Sequence, residues 1–219
     1  IGLRDQRAVE RAFDANFKDG GPAVVERFIP GDDHRMLVVG GRLIAVARRL
    51  PASVVGDGSS SIEELIEKAN ADPRRGVRFT NLLNRLELDQ GARRRLSQQG
   101  LDAGSIPKQG QRVFLRRTAN ISTGGTAVDV TDKVHPDNRR MAELAARVVD
   151  LEVAGIDFIT PDISRSFHEA GGICEVNNSP GLRPHWVAEG GEDRDVVNPI
   201  LDRLFPPDQP PHVPIAAGT

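Results

Sequence analysis

Cysteine is nearly missing from this 219-residue chain, tyrosine is wholly absent, and aromatic residues make up only 4% of it. A single thiol, Cys174, cannot close an internal disulfide, so nothing argues for an oxidising compartment and a cytoplasmic location is expected. Cys174 lies between Ile173 and Glu175 in a short apolar run and reads as a buried structural cysteine. The scarcity of aromatics argues against a base-stacking platform. No charge of one sign prevails: 29 basic residues face 31 acidic ones, for a formal charge of −2. That balance argues against a dedicated nucleic-acid or membrane surface. No apolar run approaches the length that spans a bilayer, and a signal peptide is not expected from the opening residues.

What is there is organised around two short apolar runs, Gly155-Ile-Asp-Phe-Ile159 and Gly172-Ile-Cys-Glu-Val-Asn-Asn-Ser-Pro-Gly181. Glycine and proline punctuate both, and each reads as a buried strand. On a strand Glu175 and Asn177 share a face, and Asp157 is the sole charge of its run. If the strands are neighbours, two carboxylates and an amide oxygen converge, a donor set suited to Mg²⁺ holding nucleotide phosphates. The plainer alternative is a strand-end carboxylate that accepts hydrogen bonds from loop backbone.

Along the chain, residues 4–19 carry Ala8, Val9, Ala12, Phe13 and Phe17 at helical spacing before Gly20-Gly21-Pro22. Residues 23–29 read as a strand stopped by Pro30-Gly31. Residues 35–40 and 43–49 flank Gly40-Gly41, the signature of a hairpin with a primed turn. Gly56-Asp-Gly-Ser-Ser-Ser61 lacks the Gly-Lys-Ser/Thr of a P-loop. Ser60 with Glu63 instead predicts a capping box for a helix over 61–70. Residues 72–112 are polar and Arg-rich, an insertion of solvated faces and also the place for a mobile lid or a polymer-binding arm. After a strand at 112–115, the run 119–125 offers Asn120, Ser122, Thr123, Gly124 and Gly125, either a loop closing over an anion or an ordinary Ser/Gly turn. Helices are expected over 137–149, with Met141, Leu144, Ala145 and Val148 along one face, and over 195–205. The Pro-rich stretch 207–219 has the composition of a linker.

The order of these runs resembles the ATP-grasp ligases, and among them the cyanophycin synthetase family. The resemblance is carried by Val25-Glu-Arg-Phe-Ile-Pro-Gly31, Asp33-His-Arg35, Leu50-Pro-Ala52, Asp72-Pro-Arg-Arg-Gly76, Ala119-Asn-Ile-Ser-Thr-Gly-Gly-Thr-Ala127, Asp129-Val-Thr-Asp132, Val134-His-Pro136, Gly155-Ile-Asp157 and Glu175-Val-Asn177. It extends over essentially the whole chain. It implies an α+β, ATP-grasp fold: a mostly antiparallel sheet with flanking helices and a helical insertion. Residues 1–206 would be part of that domain, and 207–219 would lead toward a Mur-ligase-like domain.

The activity implied is ATP-dependent carboxylate–amine ligation, with ATP and Mg²⁺ as cofactors. L-Aspartate and a polymeric or peptide acceptor would be the substrates, and a homo-oligomer is expected. Glu26, Arg27, Phe28 and Ile29 match the hinge that meets the adenine, and Asp33 lies near the ribose. Asp157, Glu175 and Asn177 match the magnesium ligands, and Arg35 and Arg49 face the phosphates or acyl phosphate. Asn120, Ser122, Gly124 and Gly125 match the loop over the reacting carboxylate, and Arg183 and His185 resemble residues lining the acceptor side. Two other readings remain open: a peptide ligase of the glutathione synthetase type, and a non-catalytic scaffold that retains the fold.

Overall fold

Gly40 and Gly41 set the centre of the sheet. Their φ angles of 55° and 74° make a primed turn, which matches the twist of the strands it joins. In the computed structural model, residues 3, 5–16, 26–77, 80–189 and 194–206 are described. The elements are α1 (Gln6–Asn16), β1 (Asp32–Val39), β2 (Arg42–Leu50), β3 (Ser53–Val55), α2 (Ile62–Asn70), β4 (Arg75–Gly76), β5 (Leu83–Asn84), α3 (Gln90–Ser97) and β6 (Arg112–Phe114). They continue with β7 (Thr126–Asp129), α4 (Pro136–Val148), β8 (Val153–Thr160), β9 (Gly172–Asn177), α5 (Arg183–Trp186), β10 (Ala188–Glu189) and α6 (Asn198–Leu204). The main sheet runs β10-β7-β2-β1-β8-β9. Every pairing in it is antiparallel except β10 with β7.

The two faces of this sheet differ. On one, Met36, Val38, Val46, Ile156 and Phe158 pack beneath α4, whose contact residues are Asn138, Ala142 and Ala146. These are spaced four apart, so they form one stripe. Their small side chains suit a close approach of the helix to the strands. The face expected over Met141, Leu144, Ala145 and Val148 is not the innermost one, for Leu144 and Val148 are exposed. On the other face, β1 alternates from Asp33 and Arg35 to Leu37 and Val39. Leu37, Val39 and Ala45 pack against Val196, with Val197 and Ile200 beside it. The apolar half is therefore covered and the charged half is left for chemistry.

A second core belongs to the insertion. Ala52, Val54, Ile62, Ile66, Leu86, Leu96, Val113 and Leu115 are buried together, and β3 pairs with β6 beneath α2 and α3. The expected insertion over 72–112 thus shares a packed lobe with residues 52–66. The cap of α2 lies one residue later than predicted: the Ser61 hydroxyl accepts from the Glu64 amide, and the Glu64 carboxylate accepts from the Ser61 amide. Ser60 is otherwise engaged, donating to Asp57 at 2.7 Å and accepting from Lys68. Ser61→Ala is expected to cost about 1 kcal/mol, read as a lower urea midpoint, and an unchanged midpoint would rule this cap out as a source of stability.

Three further expectations need correction. The strand predicted over 23–29 is not formed at 26–29, where no described strand pairs with the chain, and residues 23–25 lie outside the described residues. Gly20-Gly21-Pro22 and the Pro-rich stretch also lie outside them. β9 is an edge strand, not a buried one, and Cys174 is exposed. The cause is a register shift: Asp157 pairs with Glu175 but Phe158 pairs with Ile173, leaving Cys174 as the extra residue of a bulge. Among the described residues no helix is long and apolar enough to cross a membrane.

Candidate functional site

Strand register assembles the charged half of the sheet. Arg35 lies opposite Asp157, and Asp157 lies opposite Glu175, so three charged side chains form one row across β1, β8 and β9. Directly opposed residues on neighbouring strands share a face. Asn177, opposite Gly155, adds an amide to the same face one step along, and Asp33 opposite Arg49 flanks it on the other side.

Two arginines clamp Asp157. Arg35 Nε donates to Asp157 Oδ1 at 2.5 Å, and Arg49 Nη2 donates to Oδ2 at 3.0 Å. Arg49 Nη2 also reaches Asp33 Oδ1 at 2.6 Å. The side chains of Arg35, Arg49 and Asp157 are each only 11–12% exposed, so this network is largely dry. Burial by itself would lower the Arg49 pKa, but attraction and hydrogen bonds from Asp33 and then Asp157 outweigh it and raise it.

The donor set fits a magnesium ion. Glu175 makes no ion pair or side-chain hydrogen bond among the described residues. Asn177 Nδ2 donates to the Gly155 carbonyl at 3.3 Å, which leaves its amide oxygen as an acceptor. Asp157 is engaged by arginine, yet an ionised carboxylate has about four acceptor positions and retains capacity for a cation. Among the described residues no three His, Cys, Asp or Glu side chains are grouped to hold a metal. The third donor would have to be an amide, which suits a hard cation bound through oxygen.

The other expected residues lie on two separate segments. Glu26, Arg27 and Phe28 are exposed, and Ile29 packs over Gly172, where an added Cβ would meet Ile29 Cδ1 at 2.5 Å. The run 26–29 is therefore tethered at the start of β9. Asn120 and Ser122 are exposed on a 3-10 turn (Ile121–Thr123) just before β7. Gly124 closes that turn at φ 90°, a conformation that favours glycine. The Asn120 carbonyl accepts from the amides of both Thr123 and Gly125.

The insertion fastens this loop. Asn84 Nδ2 donates to the Ser122 carbonyl at 2.7 Å, and Arg75 Nη1 donates to the Asn84 carbonyl at 2.7 Å. Sequence reasoning assigned neither residue a role. It also missed Asp129, a buried carboxylate on β7 that accepts from the Thr131 amide and hydroxyl and from Arg194. A lone carboxylate in the apolar run Thr-Ala-Val-Asp-Val was the available signal.

Arg183 opens α5, and His185 is buried within it, with both ring nitrogens lacking a hydrogen-bond partner. Burial, and then the positive charge of Arg35, push the His185 pKa down to about 4, against a smaller opposing pull from Asp129. His185 is therefore a neutral imidazole at pH 7. On acidification the unfolded chain takes up its proton near the ordinary value of 6.5, before the folded chain does. Stability should thus fall as pH drops from about 6.5 toward 4, by roughly 3 kcal/mol from this group. His34, also pushed down chiefly by burial, adds to the same trend. Urea unfolding at pH 7 and pH 5 should show a smaller loss in His185→Gln than in the parent, and equal losses would refute the assignment.

No family model matches the chain. A cyanophycin synthetase of Crocosphaera subtropica is 45% identical over 222 residues, covering 100% of this chain and 26% of that protein. The glutathione biosynthesis bifunctional protein of Clostridium perfringens is 36% identical over 197 residues, covering 90% of this chain and 25% of that protein. The crystal structure of a bifunctional glutathione synthetase from Pasteurella multocida superposes with a TM-score of 0.72 at 33% identity, covering 82% of this chain and 24% of that one. The chain spans about a quarter of the length of the curated relatives it matches. By sequence over its whole length, and by an ATP-grasp fold, the chain is a relative of the cyanophycin synthetases.

Proposed function

We propose that the protein containing this chain is an ATP-dependent carboxylate–amine ligase that adds L-aspartate to the carboxyl end of a cyanophycin-like polymer. The observation that carries this reading is the row Arg35, Asp157, Glu175 with Asn177 and Arg49 on one sheet face. A carboxylate is a poor electrophile, so its oxygen must first take the terminal phosphoryl group of ATP, releasing ADP. The amine nitrogen then attacks the acyl carbon, phosphate departs and the nitrogen loses a proton. Asp157, Glu175 and Asn177 would hold Mg²⁺, which when bound neutralises charge on phosphate oxygens.

The chain's own residues do the positioning. Arg35 and Arg49 present planar, permanently charged forks to phosphate or carboxylate oxygens. Their bonds to Asp157 hold those forks in place before any ligand arrives. Asn120 and Ser122 would supply donors to the oxyanion formed at the acyl carbon. Glu26, Arg27, Phe28 and Ile29 would border the adenine, and Asp33 the ribose. Gly124 and Gly125 would let the loop backbone approach the reacting carboxylate, and Arg183 and His185 would line the acceptor side. No enzyme nucleophile is needed, because positioning and electrostatics carry the catalysis. A cytoplasmic, homo-oligomeric protein is part of the same reading.

The likeness to glutathione-forming proteins supports a second reading, a peptide ligase of that type. One assay separates them. The full-length protein is given ATP, Mg²⁺ and labelled aspartate with an aspartate–arginine peptide primer, or labelled glycine with γ-glutamylcysteine. Aspartate incorporation is expected, and glycine incorporation alone would move the protein to the second reading. Neither product, with no ADP released, would refute the ligase reading.

A further inference from the structure

A second recess lies where the insertion meets the 120–125 loop. It is a cavity of about 290 Å³ whose charged lining residues are Arg85, Glu87, Asp89 and Arg116, and it reaches Ser122 and Thr123. Two of its four charges are already used. Arg116 Nη2 donates to Asp89 Oδ2 at 3.0 Å, while Asp89 Oδ1 caps α3 by accepting from the Ala92 amide. Arg85 and Glu87 are exposed and have no ion pair or side-chain hydrogen bond among the described residues. They stand on either side of the buried Leu86, and both line the cavity.

The run that carries them is rigidly placed. Leu86, between them, is 3% exposed and belongs to the insertion core. The Arg85 amide donates to the Gly76 carbonyl, and the Leu86 amide donates to the Asn70 side chain at 2.8 Å. Gly124 lies so close that an added Cβ would meet Leu86 Cδ2 at 2.8 Å. The cavity therefore keeps a fixed relation to the loop bearing Asn120 and Ser122. It offers one unspent guanidinium and one unspent carboxylate to whatever enters. A singly charged ligand would leave one of them unanswered, whereas a unit carrying both charges satisfies both.

We propose that this recess is an anchoring site for the acceptor, taking a dipolar peptide unit whose carboxylate meets Arg85 and whose guanidinium or ammonium meets Glu87. It shares no lining residue with the Asp157–Glu175 row and is bordered by the 120–125 loop through Ser122 and Thr123. The proposal rests on the ligase reading for its consequence, and on the cavity alone for binding.

The test uses the full-length protein, its Arg85→Glu and Glu87→Lys variants, and two fluorescent primers, an aspartate–arginine peptide and an oligoaspartate. Both positions are exposed, so unfolding is not expected, and the KM for ATP serves as the internal control. Each variant should raise the KM and the anisotropy-measured Kd for the aspartate–arginine primer by about tenfold or more, with the KM for ATP within twofold of the parent. Glu87→Lys should not weaken oligoaspartate, which lacks the cationic group. Equal Kd values for the dipolar primer in parent and variants would overturn the proposal, as would equal losses on both primers in Glu87→Lys. If the parent ligates no amino acid yet the variants lose primer affinity, the ligase reading fails and the anchoring site stands.

Discussion

Asp157→Asn should be the most damaging single exchange in this chain, costing both activity and fold, whereas Glu175→Gln should cost activity alone. Asp157 is 8% exposed and neutralises two largely buried arginines, Arg35 and Arg49. An amide cannot replace that charge, so the exchange leaves the buried Arg35 guanidinium without its counter-charge, while Arg49 keeps Asp33. Breaking a buried pair in this way costs on the order of 3 kcal/mol. Glu175 is exposed on the edge strand β9 and makes no ion pair among the described residues, so its neutral isostere should leave stability within about 0.5 kcal/mol of the parent. Both exchanges remove a proposed metal ligand, and each should lower kcat for ligation by at least about a hundredfold. Native-state hydrogen exchange on the full-length protein separates the two effects. Protection of the β8 amides should collapse in Asp157→Asn and persist in Glu175→Gln. Near-normal turnover in Glu175→Gln would remove that residue from the metal site, and unchanged β8 protection in Asp157→Asn would show that the arginine clamp adds nothing to stability.

Gly125→Ala should abolish most activity without touching a charged group. A Cβ at this position would lie 2.7 Å from the carbonyl oxygens of both Asn120 and Leu50. Both are backbone atoms, one in the loop and one at the end of β2, so neither can swing aside as a side chain would. The loop must move away from the sheet, carrying Asn120 and Ser122 with it. A displacement near 1 Å at groups that orient a reacting centre can cost about a hundredfold in rate. The loss should fall on kcat, with the KM for ATP much less affected, because none of the residues proposed to meet the nucleotide or its metal lies on the 120–125 loop. A Gly125→Ala enzyme with parental kcat would show that the 120–125 loop has no part in the chemistry.

These expectations divide along a line between local and long-range information. The sequence alone supports the hairpin at Gly40-Gly41, because two adjacent glycines between alternating strands leave little choice of turn. It supports the existence of α4 as well, since the helical spacing of Met141, Leu144, Ala145 and Val148 acts within one element, although the innermost stripe is Asn138, Ala142 and Ala146. The pairing of Glu175 with Asn177 on one face follows from the two-residue repeat of any strand. The family resemblance, carried by short runs in order, was legible for the same reason, since each run is local.

Tertiary structure decided what no local pattern encodes. The alignment of Asp157 with both Arg35 and Glu175 depends on the register of three strands, 122 residues apart for the first pair. The exposure of Cys174 depends on one bulge in that register, since its apolar neighbours are equally compatible with burial. The insertion looked solvated because its arginines dominate the composition. Yet Leu86 and Leu96, scattered among them, are collected into a core with Val113 and Leu115, just past the insertion, only by folding. Ser60 and Ser61 offer the same cap to a helix, and the choice between them fell to Asp57, which had already taken the Ser60 hydroxyl. Period and turn chemistry are properties of neighbouring residues and are therefore visible in sequence. Register, bulges and the competition of distant groups for one donor are decided by contacts that exist only once the chain has folded.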